Sequence, residues 1–138
     1  MKKIIFVLSL FLLGFTTQAQ EVKKEKKKKN AKITMEVAGI CGMCKTRIET
    51  AALKTKGVKF AVWDVKSHQL KLIMDERKTE VGKVQKNIMN VGHDIILEKG
   101  KKRVATEEAY KTVHPCCKYR DKKIVLEHEG DLKKVKKS

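Results

Sequence analysis

Cys41-Gly42-Met43-Cys44 sets two thiols three residues apart. They fall where a strand-like run, 32–37, gives way to a helix-like run with Ile48, Ala51 and Ala52 at helical spacing. One sulfur then lies in a loop and the other in the first helical turn, where backbone N–H groups and the helix dipole favour thiolate. Thiolates are soft donors, suited to Cu(I), Zn(II) and similar ions, or to disulfide exchange. A second pair, Cys116-Cys117, follows His114-Pro115. Neighbouring Cα atoms lie about 3.8 Å apart against a usual disulfide range of roughly 4.4–6.8 Å, so a bond between these two is strained. This pair suits an accessory soft-metal site, disulfides with the first pair or another chain, or no chemistry at all, and Pro115 holds His114 extended. Four cysteines are too few for a disulfide-dense scaffold and read as site chemistry.

The elements around the first pair form one unit. Ile33, Met35 and Val37 alternate as one face of a first strand, and Cys44 to Thr55 reads as a helix closed near Gly57. Residues 58–65 read as a second strand, 66–68 as a turn, and Gln69 to Met74 as a third strand through Leu70 and Leu72. Thr79 to Asn90 reads as a second helix, with Thr79 as N-cap, Val81, Val84, Ile88 and Met89 on its buried face, and Gly92 as its stop. Residues 94–97 give a last short strand. The order predicts an α+β, ferredoxin-like βαββαβ sandwich, with a four-stranded antiparallel sheet, two helices and a basic C-terminal extension.

Met1-Lys2-Lys3, an apolar run from Ile4 to Phe15 and Thr16-Thr17-Gln18-Ala19 make a secretory signal pattern with cleavage after Ala19. The mature chain is therefore expected outside the cytoplasm, in a periplasmic or extracellular setting. The expected organisation is a signal peptide over 1–19, a Lys-rich linker over 20–30, the sandwich over 31–98, and over 99–138 the extension, which contains strand-like Lys123-Ile124-Val125-Leu126. The net charge of +17 concentrates in the two flanks. No aromatic residues interleave their lysines as stacking platforms, which argues against nucleic acid. Solvated lysine-rich arms fit best, ahead of weak contact with an anionic membrane surface, and an acidic protein partner is expected for metal handover.

From Ala31 to Leu97 the sequence resembles the heavy-metal-associated domain family. The likeness rests on Val37-Ala38-Gly39-Ile40-Cys41-Gly42-Met43-Cys44, on Ile48-Glu49, on Gly57-Val58, on Asp75 after the third strand and on Gly92 closing the second helix. The resemblance implies that Cys41 and Cys44 bind metal, and that the activity is capture and handover of an ion rather than catalysis. Two departures bear on the site. Gly39 stands two residues before Cys41 where the family usually has three, which leaves Met43 between the cysteines, either packed under the loop or lending its thioether to a soft ion. His93 stands where the family commonly carries an aromatic residue beside the metal loop. It is a candidate third ligand, a steadying cation, or a surface histidine. His68, in the turn at the opposite end, is set aside. The phrase Tyr110-x-x-Val113-His114-Pro115-Cys116-Cys117-x-Tyr119 looks like an extension seen on exported members of the family.

Coordination number ranks the metals. Cys41 and Cys44 alone suit two-coordinate Cu(I) or Hg(II), whereas zinc needs four ligands, available only if His93 and a tail thiol fold back or a second molecule contributes. Cu(I) leads, with Zn(II) or Cd(II) behind it. The competing class, a thiol–disulfide oxidoreductase, suffers from the wrong element order, from the single Pro115 lying beside the other cysteine pair, and from the absence of a tryptophan before Cys41. A metal-sensing interaction module is the third class. No Ser-His-Asp set, phosphate-cradling loop or convergent carboxylate pair is present, so no enzyme is expected.

Overall fold

Alternation builds the sheet. In β1 (Ala31–Val37), Ala31, Met35 and Val37 are buried, and in β3 (Gln69–Met74) so are Leu70, Leu72 and Met74, as period-two patterning on one covered face requires. β1 and β3 pair antiparallel from Ala31↔Met74 to Glu36↔Gln69. β2 (Val58–Trp63) pairs with β3, with a register shift between Val58 and Phe60 that turns Ala61 and Trp63 inward and leaves Phe60 and Val62 outside. These observations come from a computed structural model that describes residues 26–135. The expected signal segment and the linker up to residue 25 lie outside the described residues.

Helices α1 (Gly42–Leu53) and α2 (Val81–Asn90) cover the inner face through Cys44, Ile48, Ala51, Ala52, Val84 and Ile88. Trp63, Ile48, Leu70, Leu72 and Ile88 are among the largest fully buried side chains, each stabilising by about 1.5–3 kcal/mol on burial. β4 (Ile95–Ile96) pairs with β1. The βαββαβ order and antiparallel sheet agree with the ferredoxin-like expectation, with one addition. β5 (Lys102–Arg103), from the extension, pairs with β4 and makes the sheet five-stranded, in the order β2-β3-β1-β4-β5.

Three local expectations are corrected. Thr79 does not cap α2. Its N–H is tied to the Asp75 carbonyl at 3.1 Å, Glu80 takes the cap position, and the Thr79 hydroxyl is buried without a hydrogen-bond partner among the described residues. α1 starts at Gly42, because Cys41 is already the extended cap residue and its carbonyl accepts the Lys45 N–H at 3.0 Å. Residues 123–126 are helical, inside α4 (Lys122–Val135). There Asp121 Oδ1 accepts the Lys123 N–H at 2.9 Å and the Asp121 carbonyl accepts the Val125 N–H at 3.1 Å, so a helix start overrides the β-branched pair.

The extension lies against the sandwich. A short helix, α3 (Glu107–Lys111), is capped by the Thr106 hydroxyl, and a 3-10 turn, Pro115–Cys117, follows. Val113 and Cys117 join the core cluster. Gly92 makes this approach feasible: its φ is +88°, and a Cβ there would stand 2.6 Å from both the Ala109 carbonyl oxygen and Val113 Cγ2. Gly92→Ala is therefore expected to cost about 1–3 kcal/mol through overpacking. The loss should appear as a lower urea midpoint with faster amide exchange across residues 105–120.

Candidate metal centre

The first thiol pair is seated by Trp63 and Gly39. The Trp63 indole N–H donates to the carbonyls of Val37 and His68, both at 3.1 Å, fixing the ring beneath the loop that follows β1. A Cβ on Gly39 would lie 3.0 Å from the Trp63 ring and 3.0 Å from Cys44 Cβ, so only glycine lets the chain pass there undisturbed. Cys41 then occupies the cap position of α1 and Cys44 its first turn, with the sulfurs 3.5 Å apart. Cys44 is fully buried and Cys41 partly so.

The second pair is carried to the first by a polar clamp. The Asp94 carboxylate, almost fully buried, accepts the Ala105 N–H at 2.8 Å and the Arg120 guanidinium at 2.7 and 3.2 Å. Arg120 also donates to the Ala105 carbonyl at 2.9 Å and pairs with Glu107. The Tyr119 hydroxyl donates to the Gly92 carbonyl at 2.8 Å and accepts the Asp94 N–H at 3.0 Å. Tyr110 meets Tyr119 edge-on, with the Arg120 guanidinium 4.1 Å from its ring centre. Together they set the turn between Tyr110 and Tyr119 so that Cys117 Sγ lies 3.0 Å from Cys41 Sγ. Cys116 Sγ is 3.7 Å from Cys117 Sγ. All four cysteines are free thiols.

Charge on this cluster is uneven. Burial opposes ionisation of Cys41, but hydrogen bonding from the Cys117 thiol and the N–H groups of Cys44 and Met43 outweighs it and lowers its pKa. Burial pushes Cys44 up, with the neighbouring Cys41 charge adding to the effect. Cys117 is raised strongly by burial and by its hydrogen bond to Cys41. The thiolate preference expected of the pair is thus concentrated on Cys41, and Cys117 acts as donor to it.

Cys41, Cys116 and Cys117 converge within 4.8 Å of one another, and Cys44 joins them through Cys41. His93 is not in this group, and it is not a surface histidine. Its ring is fully buried, stacked on Tyr119 at 5.5 Å, and Nδ1 donates to the Ala38 carbonyl at 2.8 Å. Nε2 is buried without a partner among the described residues. Burial, reinforced by the charge of Arg47, brings its pKa down to about 4, so the steadying-cation role fails near neutral pH. Met43 does not pack under the loop: it is 51% exposed, with Sδ 3.6 Å from Cys116 Sγ. His68 stacks on Trp63 at 5.8 Å in the turn after β2. Sequence reasoning passed over Asp94 and Arg120. The Asp94–Arg120 pair carries no spacing signal, although Tyr119, next to Arg120, lay in the extension phrase already singled out.

A groove of about 480 Å³ opens beside the sulfurs, lined in part by Met43, Arg47, Lys54, His114 and Cys117. The α+β sandwich thus presents a C-x-x-C pair at a loop-to-helix junction, a donor arrangement suited to a soft metal ion. Residues 34–94 match the sequence profile of the heavy-metal-associated domain.

Solved structures with similar folds include a CopZ metallochaperone, 27% identical, covering 48% of this chain and all of that one at a TM-score of 0.47. Another is the N-terminal domain of a potential copper-translocating P-type ATPase from Bacillus subtilis in the Cu(I)-loaded state, at 21% identity, 54% and 91% coverage and TM-score 0.47. A third is the N-terminal domain of the zinc(II) ATPase ZiaA in its apo form, at 24% identity, 62% and 77% coverage and TM-score 0.44. Comparison with curated proteins gives no match.

His93 makes stability depend on pH. An unfolded histidine titrates near 6.5 and this folded one at about 4. Between those values the unfolded chain binds more protons, so stability falls as pH drops through that window and levels off below it. The loss attributable to His93 is on the order of 3 kcal/mol. Urea titrations of the metal-free protein at pH 7, 5.5 and 4 should show this decline, and His93→Phe should flatten it.

Proposed function

We propose that this protein captures a soft heavy-metal ion, Cu(I) foremost, through the thiolates of Cys41 and Cys44 outside the cytoplasm, and hands it to a protein partner. The observation that carries the reading is the pair of sulfurs 3.5 Å apart at the start of α1, one of them with a lowered pKa. Soft thiolates favour Cu(I), with Zn(II), Cd(II) or Hg(II) as competing cargo. Export rests on the pattern Met1 to Ala19. Arg47 and Lys54 along the adjoining groove favour an acidic partner face. No step makes or breaks a covalent bond of an organic substrate, so the role is carriage and not catalysis.

Handover would proceed by exchange of thiolates. Cys41, partly exposed, is the first sulfur an incoming ligand reaches, while buried Cys44 holds the ion from below. Each ion bound displaces thiol protons, so affinity should weaken as pH falls. Replacing both Cys41 and Cys44 with serine should weaken the tightest-held Cu(I) by more than the roughly 100-fold reached by outer-shell changes, with the far-ultraviolet circular dichroism unchanged. Competition with a chromophoric Cu(I) chelator measures this. Retention of the tight ion in the double variant would remove the reading.

A further inference from the structure

We propose that Cys116, Met43 and His114 form a second, outward-facing station for a soft monovalent cation, linked to the Cys41–Cys44 site through Cys117. The inference builds on the metal-carrying role proposed for the first pair. The donors run as a chain: Cys44 to Cys41 is 3.5 Å, Cys41 to Cys117 is 3.0 Å, Cys117 to Cys116 is 3.7 Å, and Cys116 to Met43 Sδ is 3.6 Å. His114 Nδ1 lies 3.0 Å from Cys116 Sγ. One end, Cys44, is fully buried, whereas Met43 and His114 are exposed.

Three features single out the outer end as a site. Met43 is an apolar side chain left in solvent, yet its sulfur faces a thiol rather than the core. The turn holding Cys116 is fixed from both sides, by the Asp94–Arg120 clamp and by His128, whose Nε2 meets the Cys116 carbonyl at 2.7 Å. The donor set of thiol, thioether and imidazole suits Cu(I), whereas zinc sites are built from thiolate, imidazole and carboxylate in a tetrahedron. His114 Nδ1 also accepts the Cys116 N–H at 3.3 Å, a bond that a bound ion would replace.

The chain is too long for one centre. With bonds of about 2.3 Å, sulfurs around one three-coordinate ion stand about 4.0 Å apart, and around a linear one about 4.6 Å. Each adjacent pair in the chain is close enough to share an ion. Five sulfurs strung from core to surface therefore suit two ions, with Cys117 between them. On uptake at the outer station the Cys116 S–H bond breaks, its proton leaves to water and a Cu(I)–sulfur bond forms. No electrons are exchanged.

The test is titration of the reduced protein with Cu(I) supplied from a weak, thiol-free complex, read by native mass spectrometry. Two ions per chain are expected, falling to one in Cys116→Ser and to one, more weakly held, in the Cys41→Ser, Cys44→Ser double variant. Selenium-edge absorption on selenomethionine-labelled protein should show copper next to selenium at the second equivalent and not the first, and Met43→Leu should abolish that signal. Saturation at one ion, unaltered by Cys116→Ser and with no copper–selenium contact, overturns the second station and leaves the first pair standing. A single ion lost in Cys116→Ser but kept in the double variant does the reverse.

Discussion

The buried ion pair between Asp94 and Arg120 governs the architecture of the sulfur cluster. Asp94 is 5% exposed, and its carboxylate takes two guanidinium contacts plus the Ala105 N–H. Its charge is tolerable there only while those partners remain, since an unpaired buried carboxylate is strongly destabilising. Asp94 sits just before β4, at the end of the sandwich where its backbone carbonyl also accepts the Ala38 N–H at 2.9 Å. The same residue thus touches the loop leading to Cys41 and the strap leading to Cys117. Breaking it would leave a C-x-x-C pair still on its helix while separating it from the other two thiols.

Burial and hydrogen bonding explain why Cys41, Cys44 and Cys117 differ. Cys44 and Cys117 are enclosed and resist ionisation, while Cys41, at the helix start, collects hydrogen bonds from both sides. Of these three, Cys41 is the most readily ionised and Cys44 and Cys117 hold their protons more tightly. A negative charge on Cys44 or Cys117 would be costly there without a cation beside it.

The sandwich was legible because its signals are local and periodic. Met35–Val37, Leu70–Met74 and Val84–Ile88 carry their burial in the spacing of apolar residues, and Cys41–Cys44 is a short-range motif. What could not be read was tertiary. The inward turn of Trp63 depends on the irregular pairing at Val58–Phe60, and the helix at 122–135 depends on Asp121 capping a segment whose Ile124-Val125 pair favours a strand. His93 reads from sequence as a ligand or a surface group, because only the fold reveals that Tyr119 covers it. The convergence of Cys116 and Cys117 on Cys41 spans 76 residues in the Cys41–Cys117 contact, beyond the reach of any spacing argument.

β5 has a consequence for colloidal behaviour. Without it the sheet would end at Ile95-Ile96, an apolar dipeptide whose free backbone groups would invite a strand from another copy. Lys102 and Arg103 cover that rim with two exposed cations on a strand too short to template further pairing. The extension that delivers the thiols thereby also acts as a gatekeeper, letting a strongly basic chain stay dispersed when crowded.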